Sequence, residues 1–276
     1  MQSTARFLWQ RLESYHGMIY FVPEADEHYT AIGLDPDRMG YFGSRAAAMG
    51  PVPAEVVIAT FYNFNPTLIR HVVPEVWRRA SCADLWQARL AAVDAALTRI
   101  FGVRLEQPDI ARAAALLRDI VPACTLEGRP LFAGHLAKPW PVEPHLALWF
   151  GITLLREFRG DGHIAALTAE GVSGIEALVL HAATGSVSAS VLKSTRAWDD
   201  HAWAAACRGL LGRGWLTPDG KFTAVGRSHR DAVEERTDHL AAAPWALLTE
   251  DDAIWLAALG KELSTTIVEA GTFPGR

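Results

Sequence analysis

A succession of short helical segments, a tight turn and a long helix constrains the fold of this chain more than any other feature. The first short segment has inward-facing apolar residues, Ser186 can cap the second, and Asp199 or Asp200 can cap the third. The run GWLTPDGKFTAVG then places two β-favouring stretches around Pro-Asp-Gly, which predicts a small β wing. The predicted segments are helices at 174–183, 187–196 and 201–211, β runs at 215–217 and 221–224, and a helix at 227–243.

The first half of the chain repeats this plan in degenerate form. GHLAKPWPVEPHLALW is echoed by DHLAAAPWALLTEDDAIW, and glycines, glutamates and tryptophans recur at matching places. A repeat of roughly a hundred residues indicates tandem domains rather than a solenoid, and chance similarity among alanine-rich helices is the alternative. The matched pairs are Gly50 with Gly171, Glu55 with Glu176, Trp77 with Trp198, and Trp140 with Trp245.

Two resemblances follow from these residues. GRGWLTPDGKFTAVGRSHRDAVEERTDHL resembles the end of the recognition helix, the wing and the dimerisation helix of the MarR family. HGMIYFVPEA, ATFYNFNP, GRPLF, KPW and LREFRGDGHIAAL together are similar to an actinobacterial family described as SalK-like or as helix-turn-helix proteins. The resemblance covers nearly the whole chain.

These resemblances imply a fold and a location for a ligand. The implied fold is mostly α, with tandem winged-helix copies that form an intrachain pseudo-dimer and a small β wing in the second copy. The domains would be 1–153, the degenerate copy, and 154–276, with its wing near 215–224. The MarR family places effectors between its dimerisation helices and its DNA-binding lobes, so a ligand cavity is expected between the copies.

Composition narrows the classes of function. The chain has 276 residues, a formal net charge of −5 and half of its residues hydrophobic, which is typical of a soluble globular protein and disfavours a dedicated nucleic-acid binder. Cys82, Cys124 and Cys207 have no paired spacing, so we expect reduced thiols and no structural zinc. With no signal-peptide pattern and no long apolar run, we expect a cytoplasmic protein without membrane association.

The segment that would read DNA has the wrong charge for that role. It begins WDDHAWAA, with two carboxylates and several alanines where a winged helix normally presents Arg, Lys or Asn. The wing region adds only Lys221, between Arg213 and Arg227, whereas an operator reader makes about six or more phosphate contacts. DNA is therefore a disfavoured partner, although it is kept as an alternative.

Charged residues are concentrated where the two halves meet, in LLREFRGDGHIAAL. Arg156 and Arg159 share one helix face and could clamp a carboxylate or phosphate of a ligand. His163 is a candidate general acid or base, oriented by Asp161. We therefore predict His163 and Asp161 as catalytic residues, and Arg156 and Arg159 as ligand-binding residues.

The structural interpretation of the same stretch stays open at this point. Gly160 and Gly162 would break the helix, and Asp161 would cap the helix that follows. The arginines would then be solvated or would pair with Glu13 or Glu24.

A second group of candidates combines aromatic and polar side chains. His16 occupies roughly the place in the first half that His163 occupies in the second, so pseudo-symmetry would bring both to one cavity. A metal or haem held by this pair is disfavoured because no ligand motif is present. Tyr62 and Asn63 are either ligand-facing or a structural tie to a helix end. The predicted ligand-binding residues of this group are His16, Tyr20, Tyr62 and Asn63, with Tyr41 and Arg45 as neighbours.

Together these residues predict a small-molecule-binding protein that has lost DNA binding. Its ligand would be an aromatic or anionic organic molecule, and acid–base catalysis in specialised metabolism is an open extension. The alternative is a ligand-responsive winged-helix transcriptional regulator. The sequence names no cofactor and no metal-ligand set, and it is compatible with a monomer or a homodimer.

Overall fold

The computed structural model of the protein describes residues 3–36 and 38–273. Within this part the regular structure is helical, with short 3₁₀ helices at Met18–Tyr20, Ala47–Met49, Gly102–Glu106 and Val121–Ala123. The α-helices are α1 (Thr4–Gly17), α2 (Pro23–Ala31), α3 (Arg38–Ala46), α4 (Ala54–Phe61), α5 (Pro66–Arg79), α6 (Cys82–Phe101), α7 (Pro108–Ile120), α8 (Pro130–Leu136), α9 (Pro144–Ala169), α10 (Gly174–Ala183), α11 (Ala189–Arg196), α12 (Asp200–Gly212), α13 (Ala224–Leu240), α14 (Ala242–Trp245) and α15 (Glu250–Glu269).

The long helix α9 is the axis of the larger of two apolar cores. It carries fully buried Trp149 and Phe150 and is contacted by α1, α7, α8 and α13, while α1 also packs against α15. This core takes residues from the first 158 positions and from α14 and α15. The expected domain boundary between residues 153 and 154 falls inside α9, and the division into two domains stays a prediction.

A smaller core lies between α10 and α12, the end of α9 and α13. We call α10–α12 the trihelical unit. Its helices begin where the sequence places capping residues: Ser173 and Glu176 form a capping box at α10, and the Asp199 side chain accepts from the Ala202 amide at α12. Local capping therefore defines the ends of this unit.

The predicted β wing is absent from the part of the chain that the structure describes. A single isolated antiparallel bridge joins Leu216 and Phe222, without a strand. The helix α13 begins at Ala224 with Thr223 as its cap, so only the last residue of the second β-favouring run is helical, and Phe222 is left with the single bridge. The predicted fold class, tandem winged-helix copies with a β wing, is therefore wrong, whereas its mostly α character is confirmed.

Nor does α9 break at Gly160 and Gly162, as the structural interpretation of this stretch expected. The helix continues to Ala169. A Cβ atom at Gly162 would lie 2.8 Å from Nη1 of Arg129, so the missing side chain lets this guanidinium approach the helix. Arg129 donates to the carbonyl oxygens of Phe158 and Leu240. The glycine makes room for a buried arginine instead of ending the helix.

The trihelical unit docks on the loop between α4 and α5. Tyr62, at the start of this loop, has a φ of 53° and donates its hydroxyl to the carbonyl of Val172. In return the indole of Trp198 donates to the carbonyl of Asn63 at 2.8 Å. Positive φ is costly for a non-glycine residue, so these contacts hold the loop in a strained form.

We expect the substitution Gly174→Ala to weaken this docking. A Cβ atom at Gly174 would lie 2.0 Å from the carbonyl oxygen of Tyr62, and backbone on both sides cannot yield cheaply. The free energy of unfolding in urea should fall by about 1–3 kcal/mol. The matched control is Gly212→Ala, because nothing lies within 4 Å of a Cβ there. Equal stability of the two variants would contradict the docking contact.

No single helix in residues 3–36 and 38–273 is long and apolar enough to cross a membrane. The helices α9 and α10 meet the length and hydropathy requirement only as a pair, and that pair is bent by 98°.

Candidate functional site: a buried arginine cluster

Three guanidinium groups converge on the ring of Tyr20. The Cζ atoms of Arg45, Arg89 and Arg156 lie 5.8, 5.5 and 5.8 Å from the ring centroid. They come from α3, α6 and α9, so the fold brings together residues that are far apart in the sequence. We call Arg45, Arg89 and Arg156 the arginine cluster.

Glu157 is the buried counter-charge of two of these arginines. Arg45 Nη2 donates to both carboxylate oxygens at 3.0 Å, and Arg156 Nη1 donates to one of them at 3.1 Å. Burial raises the pKa of Glu157, but the two cations outweigh burial and hold that pKa at about 2. Arg156 also pairs with Glu13, through Nε at 2.9 Å. Two carboxylates thus face the cluster.

Arg89 differs because it has no carboxylate partner within the described residues. It is fully buried, and its guanidinium donates to Ser44 Oγ at 2.8 Å and to the Tyr20 hydroxyl at 3.2 Å. Its Nε is buried without a hydrogen-bond partner, as is Nε of Arg45. A buried charge without a counter-charge is costly. The cluster therefore carries more positive charge than its two carboxylates balance.

Hydrogen bonds run in one direction from Arg89 to His16. The Tyr20 hydroxyl accepts from Arg89 and lies 2.9 Å from His16 Nε2, while His16 Nδ1 lies 2.9 Å from Thr153 Oγ1. Because Thr153 donates its own hydrogen to the Trp149 carbonyl, His16 Nδ1 must donate to Thr153, and Tyr20 must donate to His16 Nε2. Burial and the nearby arginine cations keep the pKa of His16 well below its ordinary value, which fits a neutral ring.

Aromatic rings line the cluster on the side of α3 and α4. The Tyr41 ring lies 5.1 Å from Tyr20 and 5.4 Å from Phe64, and its hydroxyl accepts from Arg45 Nη1 at 2.8 Å. Arg45 also lies 4.5 Å from the Phe61 ring. Tyr20, Tyr41 and Arg156 are only partly buried, whereas Arg45, Phe61 and Phe64 are buried.

His135 adds a second neutral histidine next to the cluster. Its Nδ1 lies 2.8 Å from the Leu131 carbonyl and must carry the hydrogen, which leaves Nε2 as a buried acceptor without a partner. Burial lowers the pKa of His135 to about 4. Glu157, Arg89 and Arg45 all act electrostatically on this ring, so it belongs to the surroundings of the cluster.

Of the predicted site residues, His16, Tyr20 and Arg156 lie in or against the arginine cluster, together with the neighbours Tyr41 and Arg45. Arg159 lies farther along α9 and pairs with Asp238 at 3.1 Å. The Tyr62 hydroxyl and the backbone carbonyl of Asn63 take part in the docking of the trihelical unit, which favours the structural tie over the ligand-facing interpretation for the Tyr62 side chain.

The predicted catalytic pair faces two different neighbours. Asp161 accepts from the amides of Leu131 and Phe132 at 3.1 and 2.9 Å, and so caps α8 from α9. Burial raises the pKa of Asp161 to about 7. His163 Nδ1 lies 2.9 Å from Thr237 Oγ1, and burial lowers the pKa of His163 to about 4. A catalytic role for His163 and Asp161 stays a prediction.

Arg89 is the main residue that sequence reasoning missed. It lies four positions after Leu85 and four before Val93, both fully buried, on the inward face of α6. A charged residue within that apolar row was the available signal. Its partners Ser44 and Tyr20 are distant in the sequence, so spacing alone could not reveal them.

Two cavities lie away from the ring-lined side. A groove of about 540 Å³ opens between α10, α12 and the turn at 216–220 and is lined mostly by apolar side chains. A cavity of about 10 Å³, the size of one water molecule, lies between Arg156, Arg159 and Trp9. Among residues 3–36 and 38–273, no group of three His, Cys, Asp or Glu side chains could hold a metal ion.

A family model described as the helix-turn-helix family matches residues 5–274. The chain belongs to the helix-turn-helix family. No curated protein and no solved structure matches it.

In this helix-turn-helix protein, α11 and α12 are consecutive helices of the trihelical unit. Three cations near them are paired within the protein, which reduces the charge available to phosphates. Arg208 on α12 is exposed and has no carboxylate partner in the described chain. The internal pairs are Lys193 with Asp200, Arg213 with Glu176, and Lys221 with Asp219.

Proposed function

We propose that this helix-turn-helix protein binds a small organic anion that carries an aromatic ring, at the arginine cluster. The observation that carries the proposal is Arg89, a fully buried guanidinium without a carboxylate partner within the described residues. An anion beside Arg45 and Arg156 would balance the surplus charge around Tyr20.

The neighbouring side chains suit such a ligand in two ways. Arg45 and Arg156 present guanidinium groups, which bind carboxylate and phosphate oxygens with charge-assisted hydrogen bonds of about 1.5–3 kcal/mol each. The partly exposed ring of Tyr41 gives an aromatic ligand a stacking surface, and the Phe64 ring that contacts it is buried. Polar groups that fix orientation, set among aromatic walls, are the usual composition of a small-molecule site.

This proposal needs no chemistry at the site. Both ring nitrogens of His16 are engaged, by Thr153 and Tyr20. His16 therefore positions Tyr20, and neither nitrogen is free to exchange a proton with a ligand. Acid–base catalysis by His163 and Asp161 would take place at a separate position on α9.

We expect Arg45→Gln and Tyr41→Leu each to weaken the binding of benzoate by about 10-fold or more, from the loss of one charge-assisted hydrogen bond or of one stacking ring. Isothermal titration calorimetry measures this, with folding of each variant checked by circular dichroism. Arg156 keeps Glu157 paired in Arg45→Gln. The control is Arg70→Gln, since the Arg70–Glu55 pair is exposed. Unchanged affinity in both cluster variants would refute the proposal.

The second candidate function is sequence-specific DNA binding, and the family match favours it. A gel-shift experiment with genomic fragments at low and moderate salt tests it. Specific binding that weakens steeply with salt would support a regulator. The internal pairing of Lys193, Arg213 and Lys221 leads us to expect weak binding without sequence preference.

A further inference from the structure

We infer that the ligand of the arginine cluster is a dianion, and that Arg196 of the trihelical unit holds its second negative group. The inference rests on the proposed function, because it assigns a further contact to the same ligand. It goes beyond the proposed function because it assigns the preference for a doubly charged ligand to Arg196, a residue of the trihelical unit.

Arg196 is the last residue of α11, and its guanidinium forms no ion pair with a described residue. It lies 4.8 Å from the Phe64 ring, and its Nε is buried without a hydrogen-bond partner. Its side chain has neither a carboxylate nor a hydrogen-bond partner among the described residues. The contact that the structure gives this guanidinium is therefore the cation–π contact with Phe64.

The path from Arg196 to the cluster is aromatic and short. Arg196 packs on Phe64, Phe64 lies 5.4 Å from Tyr41, and the Tyr41 hydroxyl accepts from Arg45 at 2.8 Å. Burial lowers the pKa of Arg196, and the cations of Arg38, Arg45 and Arg156 lower it further, against the opposing effect of Tyr41. The positive charges of Arg196 and of the arginine cluster therefore repel each other across the rings.

The number of arginines and carboxylates in this region indicates how many negative charges the ligand carries. Arg45, Arg89, Arg156 and Arg196 face this region, whereas Glu157 and Glu13 are the carboxylates that pair with them. Among the residues that the structure describes, two positive charges are left over, one at Arg89 in the interior and one at Arg196 on the other side of the Tyr41 and Phe64 rings. A ring with two separated carboxylates, or with a carboxylate and a phosphate, could balance both of these charges. A monoanion could balance only one.

Such a ligand would connect the two cores. Arg45, Arg89 and Arg156 belong to elements of the larger core, and Arg196 ends a helix of the trihelical unit. The present contacts between the two parts in this region include Trp198 with Asn63, and Asn65 Nδ2 with the Ala197 carbonyl at 2.8 Å. A bound dianion would add an ionic link one residue away from Ala197.

The test compares benzoate with isophthalate by isothermal titration calorimetry, using the full-length protein. We expect isophthalate to bind wild type about 10-fold or more tightly than benzoate, as one additional charge-assisted contact would give. Arg196→Gln should reduce isophthalate affinity to the benzoate level and leave benzoate affinity unchanged, with Arg196→Lys intermediate. The matched control is Arg208→Gln, an exposed arginine of α12.

The outcomes separate this inference from the proposal beneath it. Equal affinity for the two probes, or an isophthalate preference that persists in Arg196→Gln, would overturn the dianion assignment while the anion site stands. If neither probe binds wild type, both the site and the assignment fail. A preference lost equally in Arg208→Gln would assign the second contact to general surface charge and would also overturn the role of Arg196.

Discussion

Replacing Glu157 with glutamine is expected to lower the free energy of unfolding by about 3–5 kcal/mol, the usual cost of leaving buried charge unpaired. The variant would remove the only carboxylate that Arg45 contacts in the described structure and one of two that Arg156 contacts. The glutamine would keep the size of the side chain, so the loss would come from charge. Urea denaturation at neutral pH measures this change.

Two comparisons make that result specific. Glu55→Gln removes a carboxylate from an exposed pair and should leave stability unchanged. The double variant Arg45→Met with Glu157→Met removes both charges together and should recover most of the stability that Glu157→Gln loses. Wild-type stability of Glu157→Gln would mean that the cluster does not depend on its internal counter-charge.

Acidification from pH 6.5 to 4 is expected to lower the free energy of unfolding steeply. The loss should be as large as that expected for Glu157→Gln, or larger. The pKa of His16 is held well below its ordinary value of 6.5, and those of His135 and His163 are lowered to about 4. The unfolded chain therefore binds protons on these three residues before the folded protein does. The stability that they contribute is complete above pH 6.5 and is lost as the pH falls toward 4.

Asp161 acts in the opposite direction. Because its folded pKa is raised to about 7, the folded protein takes up that proton first and gains stability on acidification from about pH 7 to pH 4. Three histidines against Asp161 leave about two protons, which corresponds to a slope of roughly 3 kcal/mol per pH unit, and His181, whose pKa burial also lowers, adds to that slope. Below this range Glu157, with its pKa of about 2, loses its contribution as well.

The pH dependence is measured by urea denaturation at several pH values. His135→Met should reduce the slope by about one proton, because the substitution removes one group that must stay neutral. His201→Gln, at an exposed position of α12, should leave the slope unchanged. A wild-type protein whose stability is flat from pH 6.5 to 4 would contradict the burial of these histidines.

Helix positions in the trihelical unit could be predicted because local sequence determines them. Ser173 with Glu176, and Asp199, cap their helices in the way their spacing indicates. The wing was wrong for a reason of the same kind: Thr223 caps α13, and this capping competes with the short β-favouring run before it.

The continuity of α9 depended on contacts that no local pattern contains. Two glycines within three residues usually interrupt a helix, yet here Gly162 accommodates Arg129, a residue from the segment before α8. Tertiary packing overrides the local preference. The same applies to Asp161, which lies on α9 but caps a different helix, α8.

The candidate site could be predicted only in part. Local composition pointed to Tyr20, His16 and Arg156, because polar and aromatic residues stand out there against an apolar background. Arg89 and its surplus charge could not be inferred without knowing that α6 turns that position inward and that Glu157 is already engaged by Arg45 and Arg156. Charge balance in a core is a property of the folded chain.

The most direct test of the arginine cluster as a ligand site is the position of a heavy atom. Crystals of the protein soaked with 5-bromoisophthalate, with diffraction recorded at the bromine absorption edge, would locate the ring independently of its shape. We predict an anomalous peak beside Tyr41 and Phe64, with the carboxylates against Arg45 and Arg196. Bromine located only in the groove between α10 and α12, or an unoccupied cluster at a concentration that saturates binding in solution, would contradict the account.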